Sequence, residues 1–226
     1  MKRGLGNLDP TEVDVEYWLN ALQEGSVNIA SDGSVAKGKG YYALLLKMKD
    51  RQLQFQGPCD CDPQLVSSYR AELMGILALY YLLDVMAEHH QTKVTHNLII
   101  HVDNSAAVRT SNKDIPPGIR SHLTTNIDII QEIQRMKQNG PLIEAEWVKA
   151  HQDNTESFND LPLEAQMNCL ADQDVTNFCH NTPPQLEPTT TPLLFPPNKA
   201  FMKINNRHIT NNLEHNLQDN LPSCNI

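Results

Sequence analysis

What this sequence lacks narrows its class before any motif is read. No run approaches the ~20 apolar residues that cross a bilayer. The N-terminal stretch "MKRGLGNLDPTEVDVEYW" has two basic residues with no apolar segment behind them, so neither a membrane span nor a secretory leader is expected. Cysteines are few and scattered, at 59, 61, 169, 179 and 224. An odd number argues against a disulfide framework, and no second pair follows Cys59-x-Cys61 at zinc spacing. Free thiols in a reducing compartment are the expectation, which places the chain inside the cell, cytoplasmic or nuclear. Basic side chains are also scarce: 18 Lys and Arg face 27 Asp and Glu, a net charge of −9. The imbalance is sharpest over residues 111–181, with 5 basic and 11 acidic side chains. No basic patch is visible, which argues against affinity built on phosphate neutralisation. It argues less against an enzyme that gathers carboxylates around metal ions, because the ions bring the positive charge themselves.

What is present is enough apolar material, 40% of 226 residues, for one good core with a small appendage. "LDPTEVDVEYWLNALQEG" predicts an amphipathic helix capped by Asp9, with Pro10 opening it and Gly25 stopping it. Strand signals follow over 26–32, 40–49 and 51–57, the last two joined at Asp50–Arg51 as a hairpin. Residues 67–90 predict a helix apolar nearly all round, hence buried on a sheet. "NLIIHVD" (97–103) predicts a strand covered on both sides; 117–139 predicts a helix, 143–151 a strand and 161–181 a last helix. The fold class is therefore α/β: three antiparallel strands, then two parallel ones, with helices on the faces. The expected organisation is an N-terminal helix (1–25), a main domain (26–181), and a Pro/Asn-rich tail (182–226) with a small hairpin about Asn205–Asn206 and a short helix after it.

Four acidic residues fall at telling places. Asp32 closes the first strand and Asp103 the fourth; if those strands are parallel neighbours, their carboxyl ends lie side by side, where ligands of open α/β sheets bind. Glu72 shares a helix face with Gly75, Ile76 and Leu79, the face meant for the sheet, and Asp172 sits in apolar company within the last helix. Each has an ordinary reading: turn residues for Asp32 and Asp103, a solvated helix position for Asp172, and an ion pair with Arg70 for Glu72. Gathered at one sheet edge, however, the four would repel one another unless divalent cations lay between them, and oxygen ligands of this kind suit Mg²⁺ or Mn²⁺.

The segments "SDGS", "SSYRAEL", "IHVDNS", "WVKAHQD" and "NCLAD", in that order, resemble a type I ribonuclease H domain over roughly residues 26–181. The "VKAHQD" turn and the "LPLEAQMNCLAD" run are most similar to the ribonuclease H regions of retroelement reverse transcriptase polyproteins. The resemblance implies a ribonuclease H-like fold and an endonuclease that cuts the RNA strand of an RNA–DNA hybrid with two Mg²⁺ ions, Mn²⁺ substituting. By matching motifs it implies Asp32, Glu72, Asp103 and Asp172 as metal ligands and His151 as a mobile histidine assisting water attack or product release. Gly33, Ser34, Ser67, Ser68, Asn104, Ser105 and Asn168 would then meet the nucleic acid, the hydroxyl and amide groups suiting a 2′-hydroxyl and Gly33 allowing close backbone approach. A helix cap or turn role is the ordinary alternative for each polar member. A reverse transcriptase domain in the parent element is the implied partner. The alternative function is a catalytically silent ribonuclease H-like module that binds nucleic acid or acts as a scaffold.

Overall fold

A computed structural model describes residues 14–61, 63–114 and 125–182, together with residues 203–204 and 207–208. The first helix, α1 (Val15–Gln23), begins at Asp14, whose Oδ1 accepts the Tyr17 N–H at 3.1 Å. Asp9 and Pro10, the expected start, lie outside the described residues. Val15, Trp18, Leu19 and Leu22 recur at helical spacing and join the main core, so α1 is packed into the body of the fold.

Strands β1 (Asn28–Ala36), β2 (Lys39–Met48) and β3 (Arg51–Cys59) form an antiparallel meander. Here the sequence reading needs correction. β1 does not end at Asp32; it runs four residues further, and the reversal falls at Lys37 and Gly38, both with positive φ (53° and 72°). The left-handed dipeptide matches the right-handed twist of a two-residue hairpin, whereas Asp32-Gly33 lies inside the ladder opposite Ala43 and Tyr42. Strands β4 (Leu98–Val102) and β5 (Ile143–Trp147) add in parallel, giving the order β3-β2-β1-β4-β5. This is the expected five-stranded mixed sheet, three antiparallel strands followed by two parallel ones.

Helix α2 (Ser68–His90) crosses one face of β1 and β2, and its apolar circumference is buried as its composition requires. Gly75 allows the crossing: a Cβ there would lie 2.9 Å from the Ser31 side chain. Helix α5 (Leu163–Asn181) covers the opposite face, where Met167 and Ala171 meet Ala30 and Leu45, and Val175 and Cys179 meet Tyr41 and Ala43. A short helix that the sequence reading missed, α3 (Ser105–Asn112), leaves β4 directly. Its last residue braces the edge strand: Asn112 Nδ2 donates to the Ala145 carbonyl at 2.8 Å and its Oδ1 accepts the Ala145 N–H at 2.9 Å. Helix α4 spans Ile127–Asn139, with Ile130 and Ile133 buried; the earlier start expected at 117 lies partly outside the described residues. β5 ends at Trp147, short of the strand expected through 151, and 3-10 turns at Gln152–Asn154 and Phe158–Asp160 lead into α5.

In the tail, β6 (Lys203–Ile204) pairs antiparallel with β7 (Arg207–His208), flanking the two residues where the hairpin was expected; the helix expected after it lies outside the described residues. Among the described residues no helix is long and apolar enough to cross a membrane.

Candidate active site

Register alone brings two carboxylates together. Ala30 on β1 sits opposite His101 on β4, and the strands run the same way, so Asp32 and Asp103 each follow two residues later on adjacent strands. The N-terminal part of α2 delivers Glu72, its fifth residue, to the same place, because Gly33 lets the helix backbone settle on β1. A Cβ on Gly33 would lie 2.3 Å from the Glu72 nitrogen and 2.5 Å from the Ala71 carbonyl carbon. The glycine thus serves helix–strand contact, which is a different close approach from the nucleic-acid one expected from sequence. Oxygen atoms of Asp32, Glu72 and Asp103 all lie within 4.8 Å of one another.

The electrostatics of this group are unfavourable as it stands. Asp32 is 6% exposed and Glu72 2%, and Glu72 Oε2 has no hydrogen-bond partner. Arg70, the ordinary partner for Glu72, is engaged elsewhere. It makes a buried fork to Asp128, Nη1 to Oδ1 at 3.0 Å and Nη2 to Oδ2 at 2.6 Å, and Nη1 also donates to Asn126 Oδ1 at 3.0 Å. Burial, then the charges of Asp32 and Asp103, hold the Glu72 carboxyl well above the usual range. Burial first, with the Asp103 charge second, pushes Asp32 up to about 7, and the Asp172 charge adds to it. Three hard oxygen donors, two of them buried and one with an orphaned atom, fit a divalent cation of the Mg²⁺ or Mn²⁺ class.

Asp172 and His151 stand at the open side. Asp172 is outside the set within 4.8 Å; its side chain is 38% exposed, and Oδ2 lies 3.5 Å from His151 Nδ1. His151 is not at a strand end as expected. It lies four residues beyond β5 on a left-handed turn (φ 49°), with its side chain 59% exposed.

The residues assigned to nucleic acid divide between structural and open positions. Ser67 caps α2, its Oγ accepting the Arg70 N–H at 3.1 Å. Asn104 caps α3, its Oδ1 accepting from Ala106 and Ala107, each at 3.1 Å. Ser68 and Ser105, the first residues of those helices, are exposed beside Glu72 and Asp103 in the chain. Ser34 is half-buried against the Cys179 thiol. Asn168 is buried one helical turn before Asp172, with Nδ2 unpartnered.

Sequence reasoning gave no role to Trp147, whose Nε1–H donates to the Asp103 carbonyl at 2.8 Å. It also missed the Arg70–Asp128 pair. With the strand expected through 151, Trp147 read as an interior strand position and gave no hint of the first; 58 residues separate the partners of the second, so no local pattern could reveal it.

No protein-family model matches the chain, and no curated protein matches it. Several solved structures are similar to it. The N-terminal RNase H domain of a Mycobacterium tuberculosis protein, fused to maltose binding protein, is 15% identical over 69% of this chain and 96% of that one, with a TM-score of 0.38. LC11-RNase H1 in complex with an RNA/DNA hybrid is 11% identical over 67% of this chain and 94% of that one, with a TM-score of 0.41. The protease-reverse transcriptase of Prototype Foamy Virus is 15% identical over 70% of this chain, at a TM-score of 0.45; the match spans 21% of that longer protein. Of these three, two are RNase H proteins and the third is a protease-reverse transcriptase.

Proposed function

We propose that the chain is a metal-dependent endonuclease that hydrolyses the RNA strand of RNA–DNA hybrids, derived from a retroelement. The observation that carries the reading is the trio of Asp32, Glu72 and Asp103, two of them buried, gathered within 4.8 Å with Glu72 Oε2 unpartnered among the described residues and Arg70 engaged with Asp128. Burying carboxylates unpaired costs several kcal/mol, so their convergence favours a bound cation. Asp32, Glu72 and Asp103 would hold the metal, with Asp172 at the open side as the fourth ligand. Two bound Mg²⁺ or Mn²⁺ ions supply an activated water and charge neutralisation at the leaving oxygen.

The chain's own groups do the rest. α2 and the two parallel strands hold the carboxylates rigidly, so little reorganisation accompanies reaction. His151, exposed on its turn beside Asp172, is free to take a proton from water or hand one to the departing 3′-oxygen. Ser68 and Ser105, exposed at the two helix starts, offer hydroxyls to a ribose 2′-hydroxyl.

The test is cleavage of an end-labelled RNA–DNA hybrid with Mg²⁺ or Mn²⁺, beside the Asp103→Asn variant, with single-stranded RNA and duplex DNA as controls. Hybrid-only cutting that disappears in the variant supports the reading. A folded wild-type chain that cuts nothing with metal present overturns it in favour of the silent module.

A further inference from the structure

We propose that Trp147 is a substrate-positioning residue whose indole face lies against the sugar edge of the nucleic acid spanning the carboxylate group. The inference rests on the hybrid-nuclease reading and goes beyond it by naming a contact that does not depend on charge.

Trp147 is 57% exposed, the most exposed large apolar side chain among the described residues. Exposing an indole wastes its apolar burial, and the other tryptophan, Trp18, is 4% exposed in the core. Trp147 is nevertheless held in place. It ends β5 opposite Val102, its Nε1–H is fixed on the Asp103 carbonyl, and the next residue's N–H donates to the Val102 carbonyl at 3.0 Å. The ring is therefore anchored on the backbone of Asp103, a residue of the candidate metal seat, with its nitrogen satisfied and more than half of the residue's surface exposed.

Charge explains why such a contact matters here. The chain has a net charge of −9, so few phosphate contacts are available to hold a polyanion. A pre-oriented indole offers affinity that salt does not screen, because apolar contact does not rest on charge. Because the ring is hydrogen-bonded to the backbone of Asp103, contact there holds the nucleic acid beside the carboxylates.

The experiment separates this contact from the parent reading. A Trp18→Phe, Asp32→Asn chain, folded by circular dichroism, leaves Trp147 as the sole indole and cannot cut. Titration with a dye-labelled hybrid in Mg²⁺ follows two signals, anisotropy of the dye and emission of Trp147. The proposal predicts both changing together with one midpoint. In the otherwise native chain, Trp147→Ala is expected to raise KM about tenfold with kcat within about twofold, and Trp147→Phe to restore most of the loss. Anisotropy that rises while Trp147 emission stays constant overturns the contact and leaves the nuclease intact. Trp147→Phe as impaired as Trp147→Ala also overturns it, because the role would then be the hydrogen bond to Asp103. No rise in anisotropy, with wild-type chain equally inert, means that hybrid is not the substrate, and both readings fall.

Discussion

Asp32 and Glu72 owe their chemistry to what does not touch them. A carboxyl whose folded-state pKa is raised binds more protons folded than unfolded, so stability falls as pH rises through the interval between the two values. For Asp32 that interval runs from about 4, its unfolded value, to about 7. Metal-free protein should thus be most stable near the acid end of this window and lose stability toward pH 8, with the drop flattened in Asp32→Asn. Thermal unfolding between pH 5 and 8 in chelator measures this; a melting temperature that climbs with pH would mean the trio is satisfied without metal. Replacing Glu72 by Gln removes the most buried carboxylate of the trio and should raise metal-free stability at pH 8 while abolishing cleavage. Unfolding of that variant would make Glu72 structural.

At the scale of elements, the site depends on how tightly α2 sits on the sheet. Gly33 is the contact point, and Gly33→Ala must push the helix away from β1, costing about 1–3 kcal/mol and displacing Glu72 from its neighbours. Activity should fall further than stability, as paired denaturant unfolding and cleavage assays would reveal. The Arg70–Asp128 fork fastens the same helix start to α4. Asp128→Ala would strand a buried guanidinium and cost about 3–5 kcal/mol, whereas the paired Arg70→Met, Asp128→Leu change should restore most of that loss. Much of this layer was legible in the sequence. The apolar circumference of α2 announced a helix laid on a sheet, because burial on all sides leaves a compositional mark. The run "LIIHV" announced a strand but misled on its cover: β4 is buried on one face only, and Ile99 is 46% exposed. The turn at Lys37-Gly38 was not, since Asp32-Gly33 carries the same turn chemistry and only cross-strand pairing with Ala43 and Tyr42 decides between them. Likewise α3 is too short to show periodicity, and its start is fixed by the Asn104 cap. Strand order brought Asp32 and Asp103 together and α2 added Glu72; Asp172, on a helix whose rotation the sequence does not specify, stands at the open side, 3.5 Å from His151.

The whole molecule is acidic, and a polyanionic substrate must be held despite that. Affinity for hybrid at physiological salt should be micromolar or weaker, and its salt dependence should correspond to two or three phosphates, well short of the ~6–10 typical of strong binders. Anisotropy titrations from 50 to 300 mM salt would check both; submicromolar binding with a steep slope would contradict the weak grip expected from the acidic balance. The trio of carboxylates turns the same acidity to use, since repulsion among them is relieved when a divalent cation arrives. The most direct measurement is therefore calorimetric titration of Mn²⁺ into metal-free wild-type chain and into Glu72→Gln at pH 8. The account predicts saturable uptake by the wild type, a melting temperature raised by several degrees, and loss of both in the variant. A folded wild-type chain that takes up no Mn²⁺ at millimolar concentration would contradict it.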